Sequence, residues 1–315
     1  MKDVQAAAAA LRQMDHVLIL THIRPDGDTI GCAAALCRAL RDLGKEAFLL
    51  KNSGITATYA PYAAGSWAPD GYRPDCVVSV DIADLALLPD NAAPYRDRID
   101  LAIDHHPSFA GFGREQCVVP EAAAAGEILY AIIRELCPVT PEIAMPLYVA
   151  VSTDTGCFVY ANTTAQTHRV AAALIDTGID YRTANKVLFR TKSKTRLAME
   201  ARMVSQMELY DKGRVVVMQI PLSLREEMHA TEADIEELSS LAALVEGTDC
   251  GITLRELAPG KCKISLRTGP RVNATAACAK LGGGGHRAAA GATVSGSMED
   301  VKRAVLQAVA EVAEA

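Results

Sequence analysis

Four short strings of aspartate and histidine stand far apart in the chain, and their side chains could hold divalent cations. They are His22, Asp26 and Asp28 in HIRPDGD, Asp81 in VDIAD, Asp104, His105 and His106 in DHH, and Asp154 in STDTG. Carboxylates mixed with imidazoles suit manganese, iron, zinc or magnesium, with manganese a good compromise between the donor types. Two such ions side by side are equipment for phosphoester hydrolysis. A PDGD string alone would read as a solvated turn. Asp81 and Asp104 change that weighing, because each follows an apolar run. A carboxylate at the end of a buried strand is costly unless it is paired or binds metal.

The elements that must position these residues are legible as alternating short apolar runs and helical patterns. HVLIL (16–20), EAFLL (46–50), CVVSV (76–80) and IDLAI (99–103) read as strands, and Thr29 to Leu43 reads as a helix. The pattern predicts an α/β fold whose N-terminal domain has a parallel sheet with helices on both faces. Ligands gather past the carboxyl ends of strands in such sheets, where His22, Asp26 and Asp28 fall. Pro25 and Gly27 shape that loop so that alternate carboxylates can face two different ions.

From Glu121 to about Tyr210 the pattern is almost wholly helical, with a cap-like NTT at Asn162–Thr164. A strand restarts in GRVVVMQIP. It is followed by a capping-box pattern at Thr231–Asp234, strands in CGITLREL and KCKISLRT, a helix from about Asn273, a glycine run and a last helix to Ala315. These read as a smaller α/β C-terminal domain. The expected boundaries are 1–191 for the metal-binding domain, 192–210 for a linker helix and 211–315 for the second domain.

Composition narrows the function. Half of the 315 residues are hydrophobic and the formal net charge is −6. Two bound divalent cations, adding +4, would leave −2, so the chain is no binder of long nucleic acid by phosphate neutralisation. A nucleic-acid substrate should be short and locally gripped. The nine cysteines never form Cys-x-x-Cys and read as free thiols of a reducing cytoplasm. No stretch reads as a signal peptide or a membrane span, so the expectation is a cytoplasmic protein with no membrane partner.

GGGGHRAAAG (282–291) places four glycines before His286. Such a run lets backbone approach an anion closely and offers free amides, although alone it is often a flexible loop. Arg267, in SLRT, accompanies it. Together with the four acidic and histidine strings it resembles the DHH phosphoesterase superfamily, whose motifs are His-x-x-Pro-Asp-x-Asp, a lone Asp after a strand, Asp-His-His and a later Asp. The glycine string with SLRT resembles the DHH-associated domain of type one. The likeness covers essentially the whole chain and is similar to the bacterial nanoRNase and pAp-phosphatase branch.

That resemblance implies two manganese ions. His22, Asp26 and Asp81 would hold one; Asp28, Asp81, His105 and Asp154 would hold the other, with Asp81 bridging and a shared water serving as nucleophile. His106 would form a hydrogen bond in the transition state and deliver a proton, with Asp104 orienting its neighbours. Arg267, Gly283, Gly284, Gly285 and His286 would grip phosphates across a cleft between the domains. The implied substrates are very short oligonucleotides, cut to mononucleotides, and 3'-phosphoadenosine 5'-phosphate (pAp). Alternatives are a phosphodiesterase of cyclic dinucleotides or their linear products, and a non-catalytic nucleotide-binding protein with structural metals. Cys32 stands where the family usually has serine, and Thr268 where it has the second serine of SLRS. His16, His168 and His229 lack motif context and read as structural; Arg190, Lys192, Lys194 and Arg196 read as a solvated face.

Overall fold

Alternation along the first strand shows how the sequence builds the sheet. Val17 and Ile19 enter one core cluster and Leu18 and Leu20 another, so both faces of the strand are buried. The computed structural model describes residues 2–313 and divides into two units, Met1–Thr191 and Lys192–Ala315.

In the first unit, α1 (Lys2–Gln13) and β1 (Val17–Leu20) are followed by α2 (Gly27–Asp42), β2 (Ala47–Leu49), β3 (Cys76–Val80), β4 (Leu101–Asp104) and β5 (Glu115–Val118). Four helices follow: α3 (Ala125–Leu136), α4 (Pro141–Asp154), α5 (Ala165–Ile175) and α6 (Tyr181–Asn185). The strands form one parallel sheet in the order β2-β1-β3-β4-β5. One face packs on α1 to α5; the other packs on segments that include Ile82, Leu88 and Ala92, in and beside 3-10 turns. The order reverses between β1 and β3, and that reversal opens a crevice at their carboxyl ends.

The helix layer is tight because of its glycines. A Cβ on Gly31 of α2 would lie 2.3 Å from the carbonyl oxygen of Pro146 in α4, and one on Gly126 of α3 would lie 2.7 Å from the Ala150 side chain. Gly31→Ala must therefore push α2 from α4. It is expected to destabilise the first unit by about 1–3 kcal/mol, the usual cost of overpacking, read as a lower denaturant midpoint.

The second unit comprises α7 (Lys194–Ser205), β6 (Glu208–Tyr210), β7 (Val215–Ile220), α8 (Leu222–Glu227), α9 (Glu232–Ile235) and β8 (Cys250–Ala258). It continues with β9 (Lys261–Thr268), α10 (Ala274–Ala279), β10 (Gly284–His286), β11 (Ala289–Ser295) and α11 (Met298–Ala310). Its mixed sheet runs β10-β11-β9-β8-β7-β6, with only β7 and β8 parallel.

Three elements depart from the sequence reading, one of them the last helix, which ends at Ala310 and not at Ala315. The helical stretch expected to reach Tyr210 stops at Ser205, because Glu208–Tyr210 pairs with β7 as an edge strand. The glycine run is no loose loop: Gly284–His286 is itself a strand, hydrogen-bonded to β11. No helix among the described residues is long and apolar enough to cross a membrane.

Candidate active site

His22 follows β1, Asp81 follows β3 and the DHH string closes β4, so three neighbouring strands deliver their chemistry to one edge of the sheet. Asp26 caps the N-terminus of α2, its Oδ1 accepting from the amides of Asp28 at 3.0 Å and Thr29 at 3.2 Å. Thr29 in turn donates its hydroxyl to the Val80 carbonyl at 2.9 Å, which fixes α2 against the end of β3. Asp154 ends α4. A Cβ on Gly27 would lie 2.2 Å from the Thr153 hydroxyl oxygen, so glycine at 27 lets Asp26 and Asp28 come beside Asp154.

All six residues expected to ligate metal come together. His22, Asp26 and Asp81 form one group of potential ligand atoms, and Asp28, His105 and Asp154 form a second. His22 Nε2 lies 3.6 Å from Asp26 Oδ1 and 3.8 Å from Asp81 Oδ2. His105 Nε2 lies 3.8 Å from Asp28 Oδ2, 3.5 Å from Asp81 Oδ1 and 3.6 Å from Asp154 Oδ2. Asp81 thus faces both groups with different oxygens.

The two histidines of the DHH string are held differently. His105 Nδ1 donates to the Ala122 carbonyl at 3.1 Å, which leaves Nε2 as a lone-pair donor toward the carboxylates. His106 Nδ1 lies 2.8 Å from Asp104 Oδ1, the oxygen that also accepts the amides of His105 and His106. The hydrogen bond to Asp104 raises the basicity of His106 above that of an ordinary imidazole. A third grouping, Asp81 with His105 and His106, is also close. There, however, it is the His106 Nδ1 already held by Asp104 that lies 3.6 Å from Asp81.

Electrostatics show that this constellation fits cations. Burial first, and then neighbouring carboxylates, push the Asp28 and Asp81 carboxyls far above their usual range. Asp154 is shifted the same way, again chiefly by burial. Asp81 Oδ1 is buried with no hydrogen-bond partner among the described residues. An orphaned carboxylate oxygen among other acids is what a cation would satisfy.

Sequence reasoning missed what steadies Asp28. The amides of Ala125 and Gly126, at the start of α3, donate to its Oδ2 and Oδ1 at 2.7 and 2.9 Å, and the Cys32 thiol donates to Oδ1 at 3.2 Å. No local signal marks this support, because its backbone donors stand 97 and 98 positions after Asp28. Cys32 does the hydrogen-bonding work that a serine hydroxyl could do there.

In the second unit, Arg267 is opposite Ala289 and Ala289 is opposite His286, so the two predicted phosphate grips lie in one row across three strands. Leu266 is buried, which puts Arg267 on the opposite face of the sheet, where it is half-buried. The row spans about 10 Å, two strand spacings. The glycines serve strand contact: a Cβ on Gly283 would meet the Gly291 carbonyl at 2.2 Å, and Gly285 adopts φ +143°. Of the other cations, Lys192 and Arg196 pair with Glu200, while His168 stacks on Phe158 at 5.3 Å.

Comparison with known proteins gives the family of both units. The first unit matches the model for the DHH family, N-terminal domain, over residues 16–151, and the second matches the DHHA1 domain over 213–315. A Thermus thermophilus protein named bifunctional oligoribonuclease and PAP phosphatase NrnA is 33% identical over 305 residues, covering 94% of this chain and 89% of its own. The chain belongs to the DHH family. A Bacillus subtilis member with the same name is 25% identical, with 89% of this chain and 90% of that protein covered. The DHH fold is shared with an exopolyphosphatase-related protein from Bacteroides fragilis at a TM-score of 0.87 and 22% identity, covering 98% and 96% of the two chains.

Proposed function

We propose that the chain is a cytoplasmic phosphoesterase that uses two manganese ions to cut very short oligonucleotides to mononucleotides and to convert pAp to AMP. The observation that carries this reading is the pair of ligand groups facing one buried aspartate, Asp81. The family membership and the names of the Thermus and Bacillus relatives support the substrate class.

His22, Asp26 and Asp81 would hold one ion, and Asp28, Asp81, His105 and Asp154 the other. When bound, such ions lower the pKa of water and neutralise charge developing on a phosphoryl group. The chain's own residues do the rest. Hydrolysis forms a bond from a water oxygen to phosphorus, breaks the bond from phosphorus to the departing sugar oxygen, and returns a proton to that oxygen. His106 is the donor: Asp104 holds Nδ1 and leaves Nε2 for the cavity that His106 lines. His105, turned by the Ala122 carbonyl, keeps its free nitrogen on the carboxylates.

Arg267 and His286 would take the substrate's other phosphate, with the amides of Gly283, Gly284 and Gly285 beside them. Arg267→Ala is therefore expected to lower kcat/KM for pAp and for the dinucleotide pApA by about ten- to a hundredfold, the scale of one lost charge-assisted contact. The loss on bis-p-nitrophenyl phosphate, which needs little beyond the ligand groups, should be much smaller. Equal losses on all three would mean that Arg267 supports the fold. AMP release from pAp and pApA by the manganese-loaded protein tests the reading as a whole; absence of AMP from both would sink it.

A further inference from the structure

The cavity of about 470 Å³ beside the ligand groups has a side that no ligand uses. Ile23, Arg24 and Leu87 form it. Ile23 and Leu87 are each 42% exposed, large apolar side chains left in water at the rim of a polar site.

Rigid backbone holds them there. The Ile23 amide donates to the Leu87 carbonyl at 2.7 Å, joining the loop after β1 to the turn after β3. Behind that loop, Asn52 is buried and donates to the His22 carbonyl at 2.8 Å and to Thr21 Oγ1 at 3.0 Å. A Cβ on Gly54 would lie 2.3 Å from the Ile23 carbonyl oxygen. Leu87 ends a 3-10 turn capped by Asp84 and flanked by buried Ile82 and Leu88. The two side chains are thus exposed by construction.

Arg24 adds charge to this shelf. It pairs with no acceptor among the described residues, although Asp26, Asp81 and Asp154 line the same cavity. A guanidinium so placed is available to a phosphate, which it can meet with two parallel hydrogen bonds.

We propose that Ile23 and Leu87 form a base shelf for the nucleoside that retains the scissile phosphate, and that Arg24 pairs with the next phosphate along the chain. The assignment rests on the phosphoesterase reading above and extends it. The shelf shares a cavity with the ligand groups, so it takes the part of the substrate nearest the phosphate that they would hold. pAp has no nucleoside on that side of its scissile phosphate. The shelf therefore serves oligonucleotides and not pAp, and Arg24 serves chains of three or more nucleotides.

The test is kinetic, with the manganese-loaded protein and pAp, pApA and pApApA as substrates. Wild-type release of AMP from pAp and pApA establishes the underlying reading; failure there would defeat that reading and not the shelf in particular. Given that activity, Ile23→Ser and Leu87→Ser should each lower the ratio of kcat/KM for pApA over pAp by about three- to tenfold, the worth of one apolar contact with a base, with the change carried by KM. Arg24→Gln should lower the ratio for pApApA over pApA by about tenfold. Both apolar positions are exposed, so folding should survive, and an unchanged melting temperature checks that it does. Ratios equal to wild type in all three variants would overturn the proposal, as would a fall in kcat with KM unchanged.

Discussion

Asp81→Asn should abolish hydrolysis, lowering kcat/KM for pAp and pApA by about 10³-fold or more, because a single carboxylate faces both ligand groups and would serve both ions. Asparagine is the informative replacement. Asp81 sits at φ +57°, a left-handed conformation that Asn tolerates and Ala does not, so Asp81→Ala would add about 1 kcal/mol of backbone strain to the lost charge. Stability should move the opposite way to activity. A carboxyl whose pKa is raised on folding favours the fold below its unfolded pKa, and that contribution is lost as pH rises through the folded value. Asp81 is raised by burial and by its acidic neighbours, so at neutral pH it burdens the metal-free protein. Metal-stripped Asp81→Asn should accordingly melt above metal-stripped wild type, while manganese should stabilise the variant far less than it stabilises wild type. Near-normal turnover of the variant in saturating manganese would sink the shared-ligand assignment.

His106→Ala should lower kcat by about 10²-fold or more, the scale of a lost general acid or charge-stabilising group, and leave the metal content unchanged. The hydrogen bonding of the two histidines separates them: Ala122 turns His105 toward the carboxylates, whereas Asp104 occupies the His106 nitrogen nearest Asp81. Metal analysis showing an ion missing from His106→Ala would make His106 a ligand and reverse that division.

Much of this was legible in the sequence because it rests on local order. CVVSV (76–80) is β3 from end to end, and Asp81 follows it directly. The capping pattern at Thr231 and Asp234 is present, with the Thr231 amide donating to Asp234 at 2.9 Å. What escaped depends on partners distant in the chain. β5 places only Cys117 in the core, so it carries no apolar run to read. β10 and β11 are glycine- and alanine-rich, and the glycines are needed because backbone approaches backbone across the hairpin, which local propensity does not record. The support of Asp28 comes from residues about a hundred positions later, and the left-handed turn at Asp81 follows a β-rich string with no glycine to signal it.

The most direct test of the central claim is manganese titration into chelator-stripped protein, counting bound ions per chain while AMP release from pApA is followed in the same samples. Two ions per chain, with AMP release rising as the second site fills, is the result expected from two ligand groups sharing Asp81. Full activity at one ion per chain, or two bound ions with no AMP formed, would contradict it.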